Sequence, residues 1–312
     1  MSKNKSNKCS GIVVALKANY LFVEINAQKL NFFTSDISLN KSRLLCTRRS
    51  KLDYQGLFID VGDEVLLESI DWVNKTAVVS DLCPRKSFLK RPAVANVTLI
   101  AICVSVEQPL LDAEQASRFL ITAEGSNIKP LLVLTKIDLI TKENLNFYRD
   151  RFKLWGYDCL GVSLKNKQGI ELIIDQFRQT KLSVLAGPSG VGKTSLINYL
   201  IPTLSLPISS VSKKLKRGIH TTRHVELFSL GNGSLLADTP GFNRPDISVD
   251  PSSFAFLFPE FRAQLNNSQC KFRNCLHRDE PGCVINKDLE RYAFYRNNLE
   301  EMISSRHSFQ GD

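Results

Sequence analysis

Along residues 1–90 the apolar positions come in short bursts. Residues 11–16, 20–25, 29–33, 43–47, 64–70 and 76–80 are rich in Val, Ile, Leu and Phe, and polar or Gly/Asn-containing breaks such as 17–19 and 60–63 separate them. Short β-branched and aliphatic runs bounded in this way predict strands. Five or so strands in about 80 residues predict a closed or nearly closed barrel of the OB-fold type. From residue 91 the pattern changes. Residues 96–105 (NVTLIAICVS) form a near-continuous apolar run, as a strand buried on both faces should. Asp112 caps a predicted helix through Glu124, closed by Gly125, and residues 130–134 form the next strand. Thr141 opens a helix that stops at Gly156, residues 158–163 form a third strand, and a helix covers 168–180. Residues 181–186 (KLSVLA) then read as a buried strand running into a helix from Lys193. Residues 225–230 and 234–237, joined by Gly231-Asn232-Gly233, read as a hairpin. Such alternation predicts a mostly parallel sheet with helices on both faces. Further on, residues 254–261 (FAFLFPEF) are an aromatic core anchor, and 287–304 read as one helix with Leu289, Tyr292, Leu299 and Ile303 at helical spacing. The chain is therefore expected to be multidomain: a barrel over 1–90, an α/β domain over 91–248 and a helical C-terminal domain over 249–312.

Between the strand at 181–186 and its helix lies Gly-Pro-Ser-Gly-Val-Gly-Lys-Thr-Ser, residues 187–195. This fits the Gly-x-x-x-x-Gly-Lys-[Ser/Thr] phosphate-binding pattern in its required strand–loop–helix setting. Gly187, Gly190 and Gly192 permit backbone angles and close approach that a side chain would block. The amides of Ser189, Gly190, Val191, Gly192, Lys193, Thr194 and Ser195 can then wrap a phosphate at the positive end of the helix. Lys193 supplies a point charge to the β- and γ-phosphates, and Thr194 offers a hydroxyl to Mg²⁺. The other reading, a glycine-rich turn, does not account for the Lys-Thr that follows. Asp238-Thr239-Pro240-Gly241 comes after a buried strand, where Asp238 can hold Mg²⁺ through water and the Gly241 amide can sense a γ-phosphate.

Thr135-Lys136-Ile137-Asp138 also ends a strand. A carboxylate such as Asp138 accepts two hydrogens from the guanine edge, which adenine lacks, and the Lys136 stem can cover the ring. Ser163-Leu164-Lys165 ends the next strand, where a backbone amide can meet the guanine oxygen. The expected ligand is thus GTP or GDP with Mg²⁺. In ordinary small GTPases the phosphate loop comes first and the base-reading segments last. Here the base-reading segments come first, so the domain is circularly permuted, which surface-lying chain ends allow.

Composition adds three points. The net charge is +10, and residues 1–90 carry 14 Lys/Arg against 9 Asp/Glu, a balance suited to a polyanionic partner. Arg43, Arg48, Arg49 and Lys51 fall on or near one strand, with Tyr54 and Phe58 close by, either as base-stacking aromatics or as core. A second basic stretch is 213–217 (KKLKR). No apolar run approaches a membrane span, and the polar, basic start MSKNKSNKCS is no secretory signal. A cytoplasmic protein is therefore expected, with its eight cysteines reduced or metal-bound. Five of these, Cys9, Cys46, Cys83, Cys103 and Cys159, are scattered. Cys270, Cys275, His277 and Cys283 cluster with a Pro281-Gly282 turn before the last, which predicts one structural, tetrahedral Zn²⁺ per chain.

A basic barrel, a permuted GTPase and a Cys-x₄-Cys-x-His-x₅-Cys tail together resemble the RsgA (YjeQ) family. The resemblance rests also on residues 85–97 (RKSFLKRPAVANV), 218–222 (GIHTT) and 238–242 (DTPGF), and it covers essentially the whole chain. It implies a GTPase acting late in small-subunit maturation and stimulated by that subunit, releasing assembly factors or checking the decoding region. The implied partners are the small ribosomal subunit and its rRNA, with no membrane or DNA partner and a monomeric chain. Phe242 stands where Ras-like enzymes place a water-orienting Gln, and the family pattern points to His220 as the catalytic group instead. Thr221 or Thr222 is expected to close on Mg²⁺ and the γ-phosphate, and the sequence leaves open which. Two positions depart from the family: Thr135 where Asn is commoner, and Ile219 where Arg is usual. The alternative function is a nucleotide-regulated rRNA-binding scaffold in which hydrolysis is incidental.

Overall fold

The computed structural model describes residues 9–18, 20–25, 42–202, 204, 225–238, 247 and 249–308. The strand expected at 29–33 lies outside these residues. The chain divides into two compact units. One comprises Met1–Ile100, Glu171–Ala186 and Thr194–Phe242, and the other Ala101–Ile170, Gly187–Lys193 and Asn243–Asp312.

The first unit is built on five strands, β1 (Cys9–Lys17), β2 (Tyr20–Ile25), β3 (Ser42–Arg48), β4 (Glu64–Asp71) and β5 (Thr76–Leu82). They run in the order β1-β2-β3-β5-β4, and β1 also pairs with β4, so the sheet closes into an OB-like barrel. Alternating side chains turn inward, as the period of two requires, and Val13, Val23, Leu44, Val65, Leu67 and Val79 fill the interior. A single-turn helix α1 (Ser50–Tyr54) follows β3, unpredicted by periodicity because it is one turn long. It leaves Tyr54 91% and Phe58 79% exposed, so neither is a core residue. Arg43 stacks over Phe22 at 4.7 Å on the same barrel.

A short hairpin of β6 (Phe88–Lys90) and β7 (Ala93–Ala95) comes next. Arg85 anchors it, meeting fully buried Asp63 through two hydrogen bonds of 2.7 Å and Asp60 through one of 2.8 Å while stacking on Phe88. Two parallel N–H···O bonds to one carboxylate are among the stronger polar contacts available. The next strand, β8, begins at Leu99 rather than at residue 96. Asn96 takes a left-handed φ of 58°, its side chain accepting from the Lys86 amide and donating to the Gly62 carbonyl, so it turns the chain instead of extending it. The unit is completed by all but the first residue of helix α4 (Ile170–Arg178), strand β11 (Leu182–Ala186), all but the first residue of helix α5 (Lys193–Leu200), and the hairpin β12 (Glu226–Gly231)–β13 (Ser234–Asp238). β11 pairs with β13 in parallel, β13 with β12, and β12 with barrel strand β1. Arg43 reinforces that last junction with a 2.7 Å ion pair to Glu226.

In the second unit β8 (Leu99–Ser105) neighbours β9 (Lys129–Thr135), which pairs in parallel with β10 (Cys159–Val162). Helix α2 (Ala113–Gly125) starts at Asp112, which accepts from the Gln115 amide, and α3 (Lys142–Leu154) starts at Thr141, which accepts from the Asn144 amide. Gly156 ends the turn after α3 at φ 87°, and a side chain there would come within 2.6 Å of Pro259. The C-terminal part packs here through α6 (Pro251–Phe254), α7 (Pro259–Asn267) and α8 (Tyr292–Ser308). Phe254, Phe258, Phe261, Tyr295 and Leu299 form its core together with Ile121 of α2. α8 starts later than residue 287, because the Asn286 side chain accepts from the Asp288 amide and holds a turn there.

At the start of α8, Arg291 is 2% exposed. Its guanidinium pairs with Glu260, donates to the Trp155 carbonyl at 3.5 Å and lies against the rings of Trp155, Phe258 and Tyr157. Beside it, Trp155 donates through its indole to Glu290 at 2.8 Å, and Arg151 pairs with the same carboxylate. Among the described residues no helix is long and apolar enough to cross a membrane.

Candidate nucleotide site and metal centre

The phosphate loop follows β11. Gly187 takes φ 134°, and a Cβ on it would lie 2.1 Å from the Cys103 carbonyl oxygen, so only glycine fits where the loop crosses β8. Val191 is buried between two further positive-φ glycines, Gly190 and Gly192. Ser189 is exposed, and Thr194 and Ser195, which continue α5, are half-buried. Lys193 folds back over the loop, its ammonium donating to the carbonyls of Gly187 and Pro188 at 2.6 Å each. Burial pulls its pKa below the ordinary lysine value, against the opposing pull of Cys103. A weakly hydrated cation held on loop carbonyls is well placed to transfer to phosphate oxygens. Cys103 itself is fully buried, its thiol pushed up to about 12 by desolvation, which suits packing and not reactivity.

Residues 135–138 and 163 come together within the same unit. Lys136 is left-handed at φ 58° and opens a short turn, Ile137–Leu139, that presents half-buried Asp138. The hydroxyl of buried Ser163 donates to Asp138 Oδ1 at 2.5 Å and fixes that carboxylate. The Ser163 amide is itself bonded to the Gln168 carbonyl at 2.9 Å. Thr135 and Lys136 point at the phosphate loop. Thr135 Oγ1 lies 2.7 Å from the Val191 carbonyl and 3.2 Å from that of Val104, and Lys136 Nζ donates to the Gly190 carbonyl at 2.8 Å. Lys136 also donates to the carbonyl of Gln108. That turn, with Gln108 at φ 51° before Pro109, was missed in the sequence, where only the Pro hinted at it.

Asp238 ends strand β13 as expected. Gly241, Phe242, the basic stretch 213–217, and His220, Thr221 and Thr222 all lie outside the described residues.

The second cluster lies between α7 and α8. The ligand atoms of Cys270, Cys275, His277 and Cys283 all fall within 4.8 Å of one another. His277 Nδ1 stands 3.5 Å from both the Cys270 and Cys283 sulfurs. Ordinary Zn–S and Zn–N lengths at a tetrahedral centre put sulfur and nitrogen about 3.5 Å apart, so the donor set fits zinc closed by four protein ligands. Burial holds the His277 imidazole below its usual pKa, hence neutral as a ligand must be, and raises the Cys275 thiol to about 12 when no cation is present. The loop is held from outside as well. Tyr292 donates to the carbonyls of His277 and Arg278 at 3.0 and 2.7 Å, and Tyr295 donates to that of Leu276 at 2.7 Å. Glu280 accepts from the Leu276 and Arg278 amides at 2.9 and 2.7 Å. The spacing of the four ligands revealed the cluster, but nothing in it pointed to the two tyrosines.

Comparison with known proteins agrees with this geometry. Residues 82–248 match the RsgA GTPase family. The chain is 72% identical over 310 residues to a protein of Prochlorococcus marinus (strain NATL2A) named small ribosomal subunit biogenesis GTPase RsgA, covering 99% of both chains. It is 50% identical over 291 residues to a protein of the same name from Parasynechococcus marenigrum, covering 93% of this chain and 95% of that one. Among solved structures it resembles YjeQ from Thermotoga maritima, with TM-score 0.75 and 27% identity over 95% of this chain and 99% of that one. It also resembles YloQ, described as a circularly permuted GTPase, with TM-score 0.76 and 26% identity over 98% of each chain. The phosphate loop at 187–195 follows the strands β9 and β10 in the chain, in keeping with that description of YloQ, and the chain belongs to the RsgA GTPase family of GTP-hydrolysing enzymes.

Proposed function

We propose that this GTPase works on the small ribosomal subunit late in its maturation, and that the subunit accelerates its turnover. The observation that carries the reading is identity of 72% along nearly the full chain to a relative named for small-subunit biogenesis. In this reading the barrel segment 1–90 faces rRNA, residues 91–248 bind and hydrolyse GTP, and 249–312 form the zinc-stabilised tail. Tyr54 and Phe58, exposed beside Arg48, Arg49 and Lys51, support an RNA-facing barrel, since aromatics stack on unpaired bases while cations meet phosphate. The protein is taken to act as a cytoplasmic monomer.

Phosphate binding falls to the amides of residues 187–195 and to Lys193, and guanine binding to Asp138, held by Ser163. Thr194 and Asp238 offer hard oxygen donors to Mg²⁺, which when bound would supply positive charge to the β- and γ-phosphates. Phe242 cannot orient water, so His220 is assigned the attacking water and Thr221 or Thr222 the γ-phosphate contact. The cations of residues 213–217 lie a few positions before His220, and rRNA phosphate drawn to them would bring His220 to its task. Recognition of the subunit is thereby coupled to hydrolysis.

Turnover with and without purified small subunits tests the reading. Stimulation is expected for the wild type, and His220→Ala should keep GTP and subunit binding while losing most of the stimulated rate. Equal turnover with and without subunits would instead favour the scaffold reading, and a His220→Ala protein stimulated like the wild type would remove that residue's role. Replacing Lys193 by Ala removes charge-assisted bonds worth about 1.5–3 kcal/mol each, so nucleotide affinity should fall by roughly two to three orders of magnitude in a direct titration. Wild-type protein that binds ATP as tightly as GTP would overturn the guanine assignment.

A further inference from the structure

We infer that Glu226 is a built-in competitor for RNA: its carboxylate occupies Arg43 on the barrel face where an RNA phosphate would bind, a reading that rests on the RNA-facing barrel proposed above. OB-folds take oligonucleotides on the face of their second and third strands. Here that face carries Tyr20, which is 50% exposed, together with Phe22, Leu45 and Arg43. Phe22 pairs with Leu45 across the ladder, and Arg43 lies two positions along the same strand, so all three project from one side. A ring to stack on and a cation beside it are what one base and its phosphate need.

Both groups are engaged within the chain. The register runs Glu226–Ala15–Phe22–Leu45 across four neighbouring strands, β12, β1, β2 and β3. Arg43 reaches back along this row. Its guanidinium lies 4.7 Å from the centre of the Phe22 ring and donates to Glu226 Oε1 at 2.7 Å. Ala15, in the row between them, has only a methyl group to stand in the way. A guanidinium makes the same charge-assisted bond to a carboxylate oxygen as to a phosphate oxygen. Glu226 thus stands in for the phosphate, and Arg43 covers the ring on which a base would stack. The pair is open to exchange, since its side chains are 44% and 38% exposed and such surface pairs contribute little. Glu24, opposite Arg43 in the ladder, keeps that place in either state, so Glu226 alone distinguishes them. Glu226 is the first residue of β12 and follows Thr222 by four positions, so RNA that takes Arg43 also loosens the start of this strand.

The test titrates the full chain with a fluorescein-labelled oligouridylate of about 12 nucleotides. Glu226→Gln keeps the shape and removes the charge, and it should bind the oligonucleotide about two- to fivefold more tightly than wild type. Glu226→Ala, which leaves Arg43 no acceptor at all, should show the same gain. Arg43→Met should bind more weakly, and its slope of log affinity against log salt should be shallower by about 0.7, the share of one phosphate on a single strand. In the Arg43→Met background Glu226→Gln should change nothing, because the contested cation is gone. Glu226 variants that bind no tighter than wild type would overturn the inference. So would a gain of equal size in the Arg43→Met background, which would be a general effect of charge, or an Arg43→Met protein with the wild-type salt slope. In each of these cases wild type still binds, and the RNA-facing barrel stands without its competitor. Loss of that broader reading looks different: wild type and all the variants then ignore the oligonucleotide, and both conclusions fall together.

Discussion

Stripping the metal from Cys270, Cys275, His277 and Cys283 is expected to unfold the segment between α7 and α8 and to loosen the aromatic core beside it. Between Ser268 and Arg291 there is no helix or strand, so this stretch lacks a backbone ladder of its own. It is held by the hydroxyls of Tyr292 and Tyr295 and by the Glu280 carboxylate, and a bound zinc would tie its four candidate ligands together. Structural zinc contributes on the order of 10 kcal/mol to folding in small finger peptides, well above what these few hydrogen bonds of about 1 kcal/mol each can replace. Treatment with a strong chelator should therefore release one zinc per chain, and the near-ultraviolet circular dichroism of the Phe258–Phe261–Tyr295 cluster should collapse. Cys275→Ser should lose the metal without any chelator. Protein purified without chelator that carries no zinc, or a spectrum indifferent to its removal, would sink the assignment.

The second large effect is expected at Arg291. Truncating it to Ala leaves Glu260, itself 7% exposed, as a buried carboxylate without its partner and empties the space between three rings. Breaking a buried pair from one side typically costs about 3–5 kcal/mol. Arg291→Lys keeps the charge but loses the flat guanidinium that lies against Trp155 and Phe258, so it should be intermediate. Replacing both partners, as in Arg291→Met with Glu260→Leu, removes the stranded charge and should recover most of the loss. Chemical denaturation of the four proteins orders them, and a double variant no more stable than Arg291→Ala would contradict the buried-charge account.

Those two cases mark how far the sequence could be read. The strand–loop–helix around residues 187–192 and the clustering of Cys270, Cys275, His277 and Cys283 were legible because each is a local pattern whose spacing is set by its chemistry. The helix caps at Asp112 and Thr141 were legible for the same reason. Arg291 looked like any surface cation, because its burial depends on Trp155 and Glu260, far away in the chain. The hydrogen bond of Thr135 to the Val191 carbonyl, 56 positions later, was equally hidden. Helix α8 was placed too early because apolar periodicity cannot register the side-chain turn at Asn286.

The pairing of β12 with β1 bears on how this chain can be cut. Residues 1–90 supply the strand that meets the start of β12, where Ala15 pairs with Glu226, and Arg43 crosses over to Glu226. A shortened protein starting near residue 91 would uncover this end of β12, its amides and carbonyls open to any other strand. Such a fragment should self-associate at concentrations where the full chain stays dispersed, as light scattering would reveal. Activity lost on removing the barrel would then reflect exposed sheet as much as the loss of the barrel's own contacts, and a charged substitution on the outward face of β12 would separate the two.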